Sequence, residues 1–544
     1  MCGIIGSTKY PIDRIVLNDI AHRGPDSKGL HVDNNISLGH TRLSIIDLSA
    51  GQQPMISSDG QKVLVFNGEI YNYLELKKEL DCNFETSSDT EVLLKYYEKY
   101  GLEKTLKEVN GMFAFSIYDR AKQKLFLARD RVGIKPLFYS LQNGLTFCSE
   151  IKPIKDLLGI DNLSIDPISI SMFFNTYYIA SPNTIWNEIR SLEQGHYLEF
   201  DIENETSAIR NYWSLLPVER NQNDLGHLES LLRDAVSLRT RSDVPYGAYL
   251  SGGVDSSLIV KHLSALEQNC KTFTAVINDK ELNEREYASI VAEKCRTNHT
   301  DIFVNYDEIK LNFLRNLVKH FGQPFADSSI IPTYLISNKI SRNVTVALGG
   351  DGADEVFCGY NKYNNLERPI ADRFFRNTNL DFLQEEYKNN TYGYMLSKLP
   401  YLTTDKNELM RLLDIRYFLE GDILQKVDRM SMASSLEVRV PFLDHRILEY
   451  SNRLTYDTMF GRIRKYPIKR LLEQYFDKQF VHRNKIGFML GFDGWNDKFD
   501  EVVNNCEIMK SNIFKEGFNV KDIKNGYLKF AFLILCLWYE ENYV

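Results

Sequence analysis

The stretch GAYLSGGVDSSLIVKHLSAL (247–266) decides the fold of the second half of this 544-residue chain. The apolar GAYL predicts a buried strand, SGGVDSS (251–257) a glycine turn, and SSLIVKHLSAL a helix. The same order recurs where TFTAVI (272–277) precedes REYASIVAEKC (285–295), and NVTVAL (343–348) ends at a glycine cluster. Repeated strand, turn and helix predict an α/β fold with a parallel, doubly wound sheet, whose ligands bind at the carboxyl ends of its strands.

The turn at 251–257 has the composition of an anion-binding loop. Gly252 and Gly253 let the backbone approach a phosphate closely, and the helix N-terminus behind them favours negative charge. A glycine turn can also be purely structural, and this one lacks the Walker A pattern. Asp255 within it, however, would repel a phosphate unless a cation lay between them, so it predicts Mg²⁺.

A second loop, LGGDGADE (348–355), again combines glycines with acidic residues after a β-branched strand. Alone it could be a solvated acidic turn. If the two strands are neighbours, the two loops would hold a nucleotide and its metal between them.

The first 200 residues have a different pattern of predicted secondary structure, with short strands separated by turns. The predicted strands are KVLVFNGEIYNY (62–73), GMFAFSIYD (111–119), KLFLARDR (124–131), GLTFCSE (144–150) and GHYLEFD (195–201). One amphipathic helix, at 88–101, has Ser88 as N-cap, Glu91 at the capping-box position and Gly101 as its stop. This pattern predicts an α+β domain, followed by a polar, irregular linker and, after about residue 370, a mostly helical part.

Composition excludes several classes of protein. A net charge of −8 argues against a nucleic acid partner, because a phosphate-backbone footprint needs excess Lys and Arg. The eight scattered cysteines predict neither zinc nor disulfides. The longest apolar run, FAFLILCLWY (530–539), predicts a buried helix and no membrane partner. With no secretory signal at the amino terminus, we expect a cytoplasmic protein.

Two motifs together indicate a family. SGGVDSS resembles the pyrophosphate loop of ATP pyrophosphatases, and MCGIIG (1–6) resembles the start of class II, N-terminal-nucleophile glutamine amidotransferases. In this order they resemble the glutamine-hydrolysing asparagine synthetase family. The resemblance continues in HRGPDS (22–27), HTRLSIIDL (40–48), FNGEIYN (66–72), SDTE (88–91), ARDRVGIKPLFY (128–139), FGQPFADSSIIPTYLIS (321–337), ALGGDGADEVFCGY (347–360), KVDRMSMASSLEVRVPFLDHR (426–446) and RNKIGF (483–488).

The resemblance implies a domain organisation. Residues 1–201 would form an N-terminal-nucleophile glutaminase domain, a two-layer β sandwich flanked by helices. Residues 202–225 would be the linker, and 226–544 an ATP-pyrophosphatase domain with a helical C-terminal part. Family members are often dimers, so a homodimer is possible.

Roles in the front domain follow from the resemblance. Removal of Met1 would leave Cys2 with a free α-amine, which can act as the base for its own thiolate. Arg42 would clamp the α-carboxylate of glutamine, and Glu69 and Asp89 would receive its α-ammonium group. Asn67 and the Gly68 N–H would form the oxyanion hole.

The second domain would use ATP to activate a substrate carboxylate as an acyl-adenylate. Lys465 would steady the charge that develops, and Asp255 with Asp354 would bind Mg²⁺. The implied ATP-binding residues are Leu250, Ser251, Gly252, Gly253, Asp255, Ser256, Val276, Gly349 and Gly350. Because ammonia is protonated in bulk water, the resemblance also implies a sealed passage between the domains.

One departure from the family concerns the acceptor. Asparagine synthetases commonly carry Gly-Glu-Gly-x-Asp-Glu in the second loop, whereas this chain has the shorter Asp351 at the position that helps position or deprotonate the nucleophile. Relatives with aspartate there include amidotransferases thought to act on sugar uronates for surface polysaccharides. Three alternatives therefore stay open: an enzyme that amidates aspartate, one that amidates a uronate or another carboxylate, and a regulatory protein that has lost catalysis.

Overall fold

The computed structural model describes residues 2–33, 36–277, 284–304, 309–364, 367–483 and 496–543. Met1, on whose removal the predicted base depends, lies outside these residues, as does the RNKIGF segment beyond Arg483.

Two six-stranded antiparallel sheets form the first part of the chain. Their strands are β1 (Gly3–Ser7), β2 (Ser27–Val32), β3 (Ser37–Arg42), β4 (Met55–Ile56), β5 (Lys62–Ile70), β6 (Gly111–Asp119), β7 (Lys124–Arg129), β8 (Phe138–Ser140), β9 (Thr146–Cys148), β10 (Arg190–Ser191), β11 (His196–Asp201) and β12 (Thr206–Asn211). One sheet has the order β10-β8-β9-β1-β3-β2 and the other β12-β11-β7-β6-β5-β4. Apolar side chains of both sheets, including Ile4, Leu38, Val65 and Leu127, form one buried cluster between them. The predicted two-layer sandwich is confirmed.

Helices flank this sandwich. They are α1 (Arg14–Asn18), α2 (Tyr73–Glu79), α3 (Asp89–Tyr100), α4 (Leu102–Glu108), α5 (Ile151–Leu158) and α6 (Pro167–Thr176). Ser88 caps α3 by accepting from the Thr90 N–H, and Gly101 ends it, as predicted. The predicted capping box is wrong, because Glu91 accepts hydrogen bonds from the Glu85 and Thr86 N–H groups of the preceding loop.

The predicted linker at 202–225 is irregular only in part. Strand β12 pairs with β11 over six residues, from His196 opposite Asn211 to Asp201 opposite Thr206. All six side chains of β12 are exposed. An edge strand whose side chains are exposed on both faces has a polar composition, so its sequence is similar to that of a linker.

A five-stranded parallel sheet forms the centre of the second part. Its strands are β13 (Tyr246–Tyr249), β14 (Lys271–Ile277), β15 (Asn298–Val304), β16 (Val346–Leu348) and β17 (Glu437–Arg439). The order is β15-β14-β13-β16-β17, so successive strands are added first on one side of β13 and then on the other. The carboxyl ends of β13 and β16 therefore meet at a topological switch point, where open parallel sheets bind their ligands.

Helices surround the parallel sheet and form most of the chain beyond its last strand. They are α7 (Leu225–Leu238), α8 (Val254–Leu266), α9 (Arg285–Cys295), α10 (Leu311–Phe321), α11 (Ile330–Ile340), α12 (Ala353–Val356), α13 (Ile370–Phe374), α14 (Thr391–Ser397), α15 (Lys406–Leu413), α16 (Gln425–Met432), α17 (His445–Arg453), α18 (Tyr456–Phe460), α19 (Tyr466–Leu472), α20 (Lys478–Val481), α21 (Asn496–Asn505) and α22 (Gly526–Tyr543). A π-helical segment, Asp414–Leu424, joins α15 to α16.

The apolar run near the carboxyl terminus behaves as predicted. It lies in α22, whose residues 530–538 are buried against α10 and α21 and against Phe174 and Trp186 of the first domain. Within the parts of the chain that the structure describes, no helix combines the length and apolar character needed to cross a bilayer.

Candidate active sites

Cys2 lies at the edge of the sandwich, directly before β1, and is 8 % exposed. Its nitrogen, which would become an α-amine without Met1, donates to Asn67 Oδ1 at 3.1 Å. The carbonyl oxygen of Cys2 accepts from Arg23 Nε at 3.1 Å. Burial raises the pKa of the Cys2 thiol, while the nearby Arg42 cation and the Leu43 N–H act in the opposite direction. The buried thiol therefore needs a local base to become a nucleophile.

Asn67, which the sequence predicted to form the oxyanion hole, has an unpaired donor in the described part of the chain. Asn67 is fully buried, and its Nδ2 group makes no hydrogen bond within the described residues. A buried amide donor without a partner is costly, and an oxyanion formed beside Cys2 would satisfy it. Gly68 follows at φ +153°, and a Cβ there would lie 2.0 Å from the Met112 carbonyl oxygen. Only glycine permits this close pairing of β5 with β6.

Arg42 lies at the end of β3 and is buried. Its Nη2 group donates to the Ile46 and Asp47 carbonyl oxygens, at 3.2 and 2.5 Å. These bonds hold the 43–48 loop around the guanidinium and fix its orientation.

Glu69 and Asp89, the two predicted acceptors of an ammonium group, are each 5 % exposed. Asp89 Oδ2 accepts from the Ile70 N–H at 2.9 Å. Burial raises the pKa of Asp89 to about 6, and burial together with the Asp89 charge raises the pKa of Glu69 well above its usual range. The Oε1 atom of Glu69 lies 3.2 Å from Arg439 Nη2, an atom of the second domain.

The predicted nucleotide loop, residues 251–257, follows β13 and runs into the start of α8, as the sequence predicted. Ser251 and Ser256 are joined through their hydroxyl groups at 3.1 Å, and the Gly253 N–H donates to Ser251 Oγ at 3.2 Å. A Cβ on Gly350 of the second loop would lie 3.0 Å from the Asp255 Cβ. The two glycine-acid loops are therefore adjacent, as the sequence predicted.

Gly252 has a packing role that the sequence did not reveal. Its φ is +71°, and a Cβ there would lie 2.6 Å from the backbone nitrogen of Ala288 on α9. The residue thus allows a helix to pack closely on the loop.

Lys465 joins the acidic residues of both loops. Its Nζ group lies 2.6 Å from Asp255 Oδ2 and 2.7 Å from Asp354 Oδ1. The lysine is 6 % exposed and holds a left-handed φ of +54° just before α19. A non-glycine residue in this conformation costs roughly 1–2 kcal/mol, which the surrounding contacts must offset.

The two predicted metal ligands suit Mg²⁺ that arrives with a nucleotide. Among the described residues no cluster of three or more His, Cys, Asp or Glu side chains could hold a metal by itself. Asp255 and Asp354 nevertheless converge on a single cation, the Lys465 ammonium. Mg²⁺ is commonly bound by one or two carboxylates while phosphate oxygens and water complete its shell.

A cavity of about 610 Å³ opens at the switch point. Among the predicted residues it is lined by Leu250, Ser251, Gly253, Asp255, Ser256, Gly349, Gly350, Asp351, Asp354 and Lys465. Val276 is not in this lining, and Thr274 and Ala275 of the same strand are.

Ionic contacts join the two domains near Cys2. Arg23 Nη2 lies 2.9 Å from Asp428 Oδ2, and Lys135 Nζ lies 3.3 Å from Asp428 Oδ1. Arg429 Nη1 lies 3.1 Å from Glu150 Oε1. All five side chains are buried. Asp428 and Arg429 share α16 with Lys426, which lines the nucleotide cavity, so one helix contacts both sites.

Sequence reasoning did not identify Arg23, Asp428, Glu437 or Arg439 as site residues. Glu437 and Arg439 alternate with Leu436, Val438 and Val440, a pattern typical of a half-solvated strand. One signal could have identified them: this strand lies inside KVDRMSMASSLEVRVPFLDHR (426–446), a segment that resembles the family. The structure buries both charges completely, which requires partners.

Sequence models of two protein families match this chain. Residues 1–213 match the sequence model of a family described as a glutamine amidotransferase domain. Residues 227–514, more than half of the chain, match the family described as asparagine synthase. The chain belongs to the asparagine synthase family.

Curated relatives agree with this assignment. The chain is 31 % identical to asparagine synthetase [glutamine-hydrolyzing] 1 of Bacillus subtilis, over 93 % of this chain and 89 % of the relative. It is 37 % identical to a putative asparagine synthetase [glutamine-hydrolyzing] 2 of Methanocaldococcus jannaschii, over 67 % of this chain and 76 % of the relative. Asparagine synthetase B of Escherichia coli is 29 % identical over 97 % of this chain and 90 % of its own.

Proposed function

We propose that this protein is a glutamine-hydrolysing asparagine synthetase. Residues 1–201 would release ammonia from glutamine, and residues 226–544 would join it to the side-chain carboxylate of aspartate, activated by ATP. The adjacency of the two glycine-acid loops, together with the Cys2–Asn67 geometry in the other domain, carries the proposal. Each half has the groups that its reaction needs, and buried ionic contacts join the halves.

In the glutamine site, the Cys2 thiolate would attack the γ-carbonyl carbon. The oxygen would take up negative charge beside Asn67 Nδ2 and the Gly68 N–H. Collapse of the tetrahedral intermediate would break the carbon–nitrogen bond, release ammonia and leave a γ-glutamyl thioester, which water converts to glutamate. The α-amine of Cys2, held by Asn67 Oδ1, would carry the proton between thiol and leaving group.

In the nucleotide site, the carboxylate of aspartate would attack the α-phosphorus of ATP and displace pyrophosphate. Ammonia would then attack the acyl carbon of the adenylate, and AMP would leave. The Lys465 ammonium group lies beside both loops. It would pair with the phosphoryl oxygens and stabilise the negative charge that develops on them. Asp255 and Asp354 would hold Mg²⁺, which would neutralise phosphate charge, and the glycine loop would bind phosphate through its N–H groups.

The test is a product assay with the mature protein. Aspartate, glutamine, ATP and Mg²⁺ should yield asparagine, glutamate, AMP and pyrophosphate in equal amounts. Cys2→Ala should abolish synthesis from glutamine and retain synthesis from added ammonia. Absence of asparagine with either nitrogen source would contradict the proposal.

A second acceptor class has one observation in its favour. Asp351 lines the cavity, and its side chain is one methylene shorter than the glutamate that the family commonly carries there. Space beside a shorter acid would suit a bulkier carboxylate such as a sugar uronate, linked to a nucleotide for surface polysaccharide synthesis. A carboxylate screen read out by pyrophosphate release separates the two. Stimulation by a nucleotide-linked uronate and not by aspartate would favour the alternative.

A further inference from the structure

Strand β17 forms a wall between the two sites. Side chains along a strand alternate between faces, so Glu437 and Arg439 lie on one side and Val438 on the other. Val438 lines the nucleotide cavity. Arg439 extends in the opposite direction and reaches Glu69 of the glutamine site. One short strand of the synthetase domain thus contributes to both sites.

The guanidinium of Arg439 is fixed on two of its three nitrogens. Nε donates to Glu437 Oε1 at 2.6 Å, and Nη1 donates to the carbonyl oxygens of Arg239 and Arg241, at 2.9 and 2.7 Å. The side chain is fully buried. Three bonds to rigid partners leave the planar group no freedom to turn. Its third nitrogen, Nη2, is therefore held facing the glutamine site.

Nη2 is also the atom whose bonding is incomplete. It lies 3.2 Å from Glu69 Oε1 as an ion pair, yet it makes no hydrogen bond within the described residues. A buried guanidinium nitrogen in that state is costly unless a substrate or water adjusts the geometry. The observation indicates that the Glu69–Arg439 contact is completed when the site is filled.

Charge balance explains why an arginine is needed here. Glu69 and Asp89 are buried acids side by side, and Glu437 adds a third carboxylate nearby. Arg439 lowers the pKa of Glu69, opposing burial and the two acids. Loss of this cation would raise the pKa of Glu69 further and disfavour the ionised carboxylate that attracts an ammonium group.

We propose that Arg439 is a positioning residue of the glutamine site: Glu437 fixes its guanidinium, and the guanidinium orients the Glu69 carboxylate to receive the α-ammonium group of glutamine. The inference rests on the proposed function of the front domain and deepens it. The glutamine site is then composite, because the synthetase domain supplies the group that positions the carboxylate of its ammonium subsite.

The test uses steady-state glutamine hydrolysis by the full-length mature enzyme. Arg439→Gln should raise the KM for glutamine by roughly 10- to 100-fold, the equivalent of one charge-assisted hydrogen bond, while kcat falls much less. Arg439→Lys should recover part of the loss, because it restores charge without the planar fork. Arg411→Gln removes an equally buried arginine that bonds only within the synthetase domain, to Ser451, Asn452 and Val356, and should leave this KM unchanged.

The pH dependence of kcat/KM for glutamine provides a second test. It would not change if Arg439 had only a structural role. Glu69 faces Asp89 on α3, Glu437 and Arg439 on β17, and the phenols of Tyr71 and Tyr73. The α-amine of mature Cys2 is a further charge nearby. Removing the arginine raises the pKa of Glu69, so the acid limb of kcat/KM for glutamine should move to higher pH in Arg439→Gln and less in Arg439→Lys.

A second measurement guards against misfolding and separates this inference from the proposed function. The double variant Glu437→Gln with Arg439→Gln removes both charges of the pair and avoids an isolated buried carboxylate. Alkylation of Cys2 by 6-diazo-5-oxo-norleucine, followed by intact mass, should need a higher reagent concentration for half-maximal rate in both variants. Unchanged half-saturation and KM would overturn the role of Arg439. A wild-type enzyme that is neither labelled nor hydrolyses glutamine would instead overturn the proposed function.

Discussion

The proposed glutamine site and the proposed nucleotide site are built in opposite ways. Cys2 lies directly before β1 and Asn67 lies in β5 of the facing sheet, both are buried, and the Asn67 Nδ2 donor makes no hydrogen bond within the described residues. The nucleotide site is instead formed by loops around an open cavity, and its acids are held by Lys465. The difference teaches that the first site is preorganised by strand packing, whereas the second must exchange ion pairs when its ligand arrives.

Substitution of the proposed nucleophile, Cys2, should have the largest effect and should separate the activities of the two sites. Cys2→Ala should lower glutamine-dependent synthesis by roughly 10⁴-fold or more, because it removes the proposed nucleophile. Ammonia-dependent synthesis should persist, since the nucleotide site does not use this residue. Parallel assays with glutamine and with ammonium chloride measure both. Loss of both activities together would mean that the sites are not separable.

Lys465 tests the claim that the second site works by ion-pair exchange. Lys465→Met should lower pyrophosphate release by at least about 10³-fold, because it removes the charge that meets the phosphoryl group. Glutamine hydrolysis should be nearly unaffected. Arg470→Met, which removes an exposed cation from the adjoining helix α19, is the matched control. Equal effects of the two substitutions on pyrophosphate release would contradict the assignment.

Asn67 tests preorganisation in the first site. Asn67→Ala removes a fixed donor and should lower kcat for glutamine hydrolysis by about 10²–10³-fold with a small change in KM. Asn67→Asp keeps the acceptor for the Cys2 nitrogen but places negative charge where the oxyanion forms, so its kcat should be lower still. If the aspartate variant were as active as wild type, Asn67 would not be the oxyanion donor.

Local sequence patterns predicted most of the fold. Strand β6 and helix α9 have the predicted bounds, Gly111–Asp119 and Arg285–Cys295, because their periodicity, caps and turns agree. The sequence-based predictions were wrong where contacts between distant parts of the chain determine the local structure. Strand β12 exists because β11 offers it an edge, and Glu91 bonds to a loop that the sequence could not place beside it.

The site was predictable to the extent that its residues lie in contiguous motifs. SGGVDSS and LGGDGADE each carry their chemistry within eight residues or fewer, and the strand order alone brings them together. Arg439 could not be found in this way, because its role depends on a contact with Glu69, 370 positions earlier in the chain. Residues that act across the domain interface have no local pattern to distinguish them from packed charges.

The smallest predicted effect is on folding stability. It tests whether burial of Asp89 destabilises the preorganised glutamine site. The folded protein raises the pKa of Asp89 to about 6, so this group contributes stability at pH below its unfolded pKa of about 4, and the contribution is lost as pH rises through 6. Asp89→Asn removes the charge, and should stabilise the fold by up to about 3 kcal/mol at pH 8 with little difference at pH 4.

Asp47 provides the control of opposite sign. Hydrogen bonds from Ser87 and Ala50 lower the pKa of Asp47, so its contribution is present at neutral pH and lost as pH falls through the lowered value. Asp47→Asn should therefore destabilise the protein at pH 8, where Asp89→Asn stabilises it. Urea unfolding of both variants at pH 4 and pH 8 measures the pair. Destabilisation by Asp89→Asn at pH 8 would show that Asp89 is held as a favourable charge, and that the glutamine site is not strained by its acids.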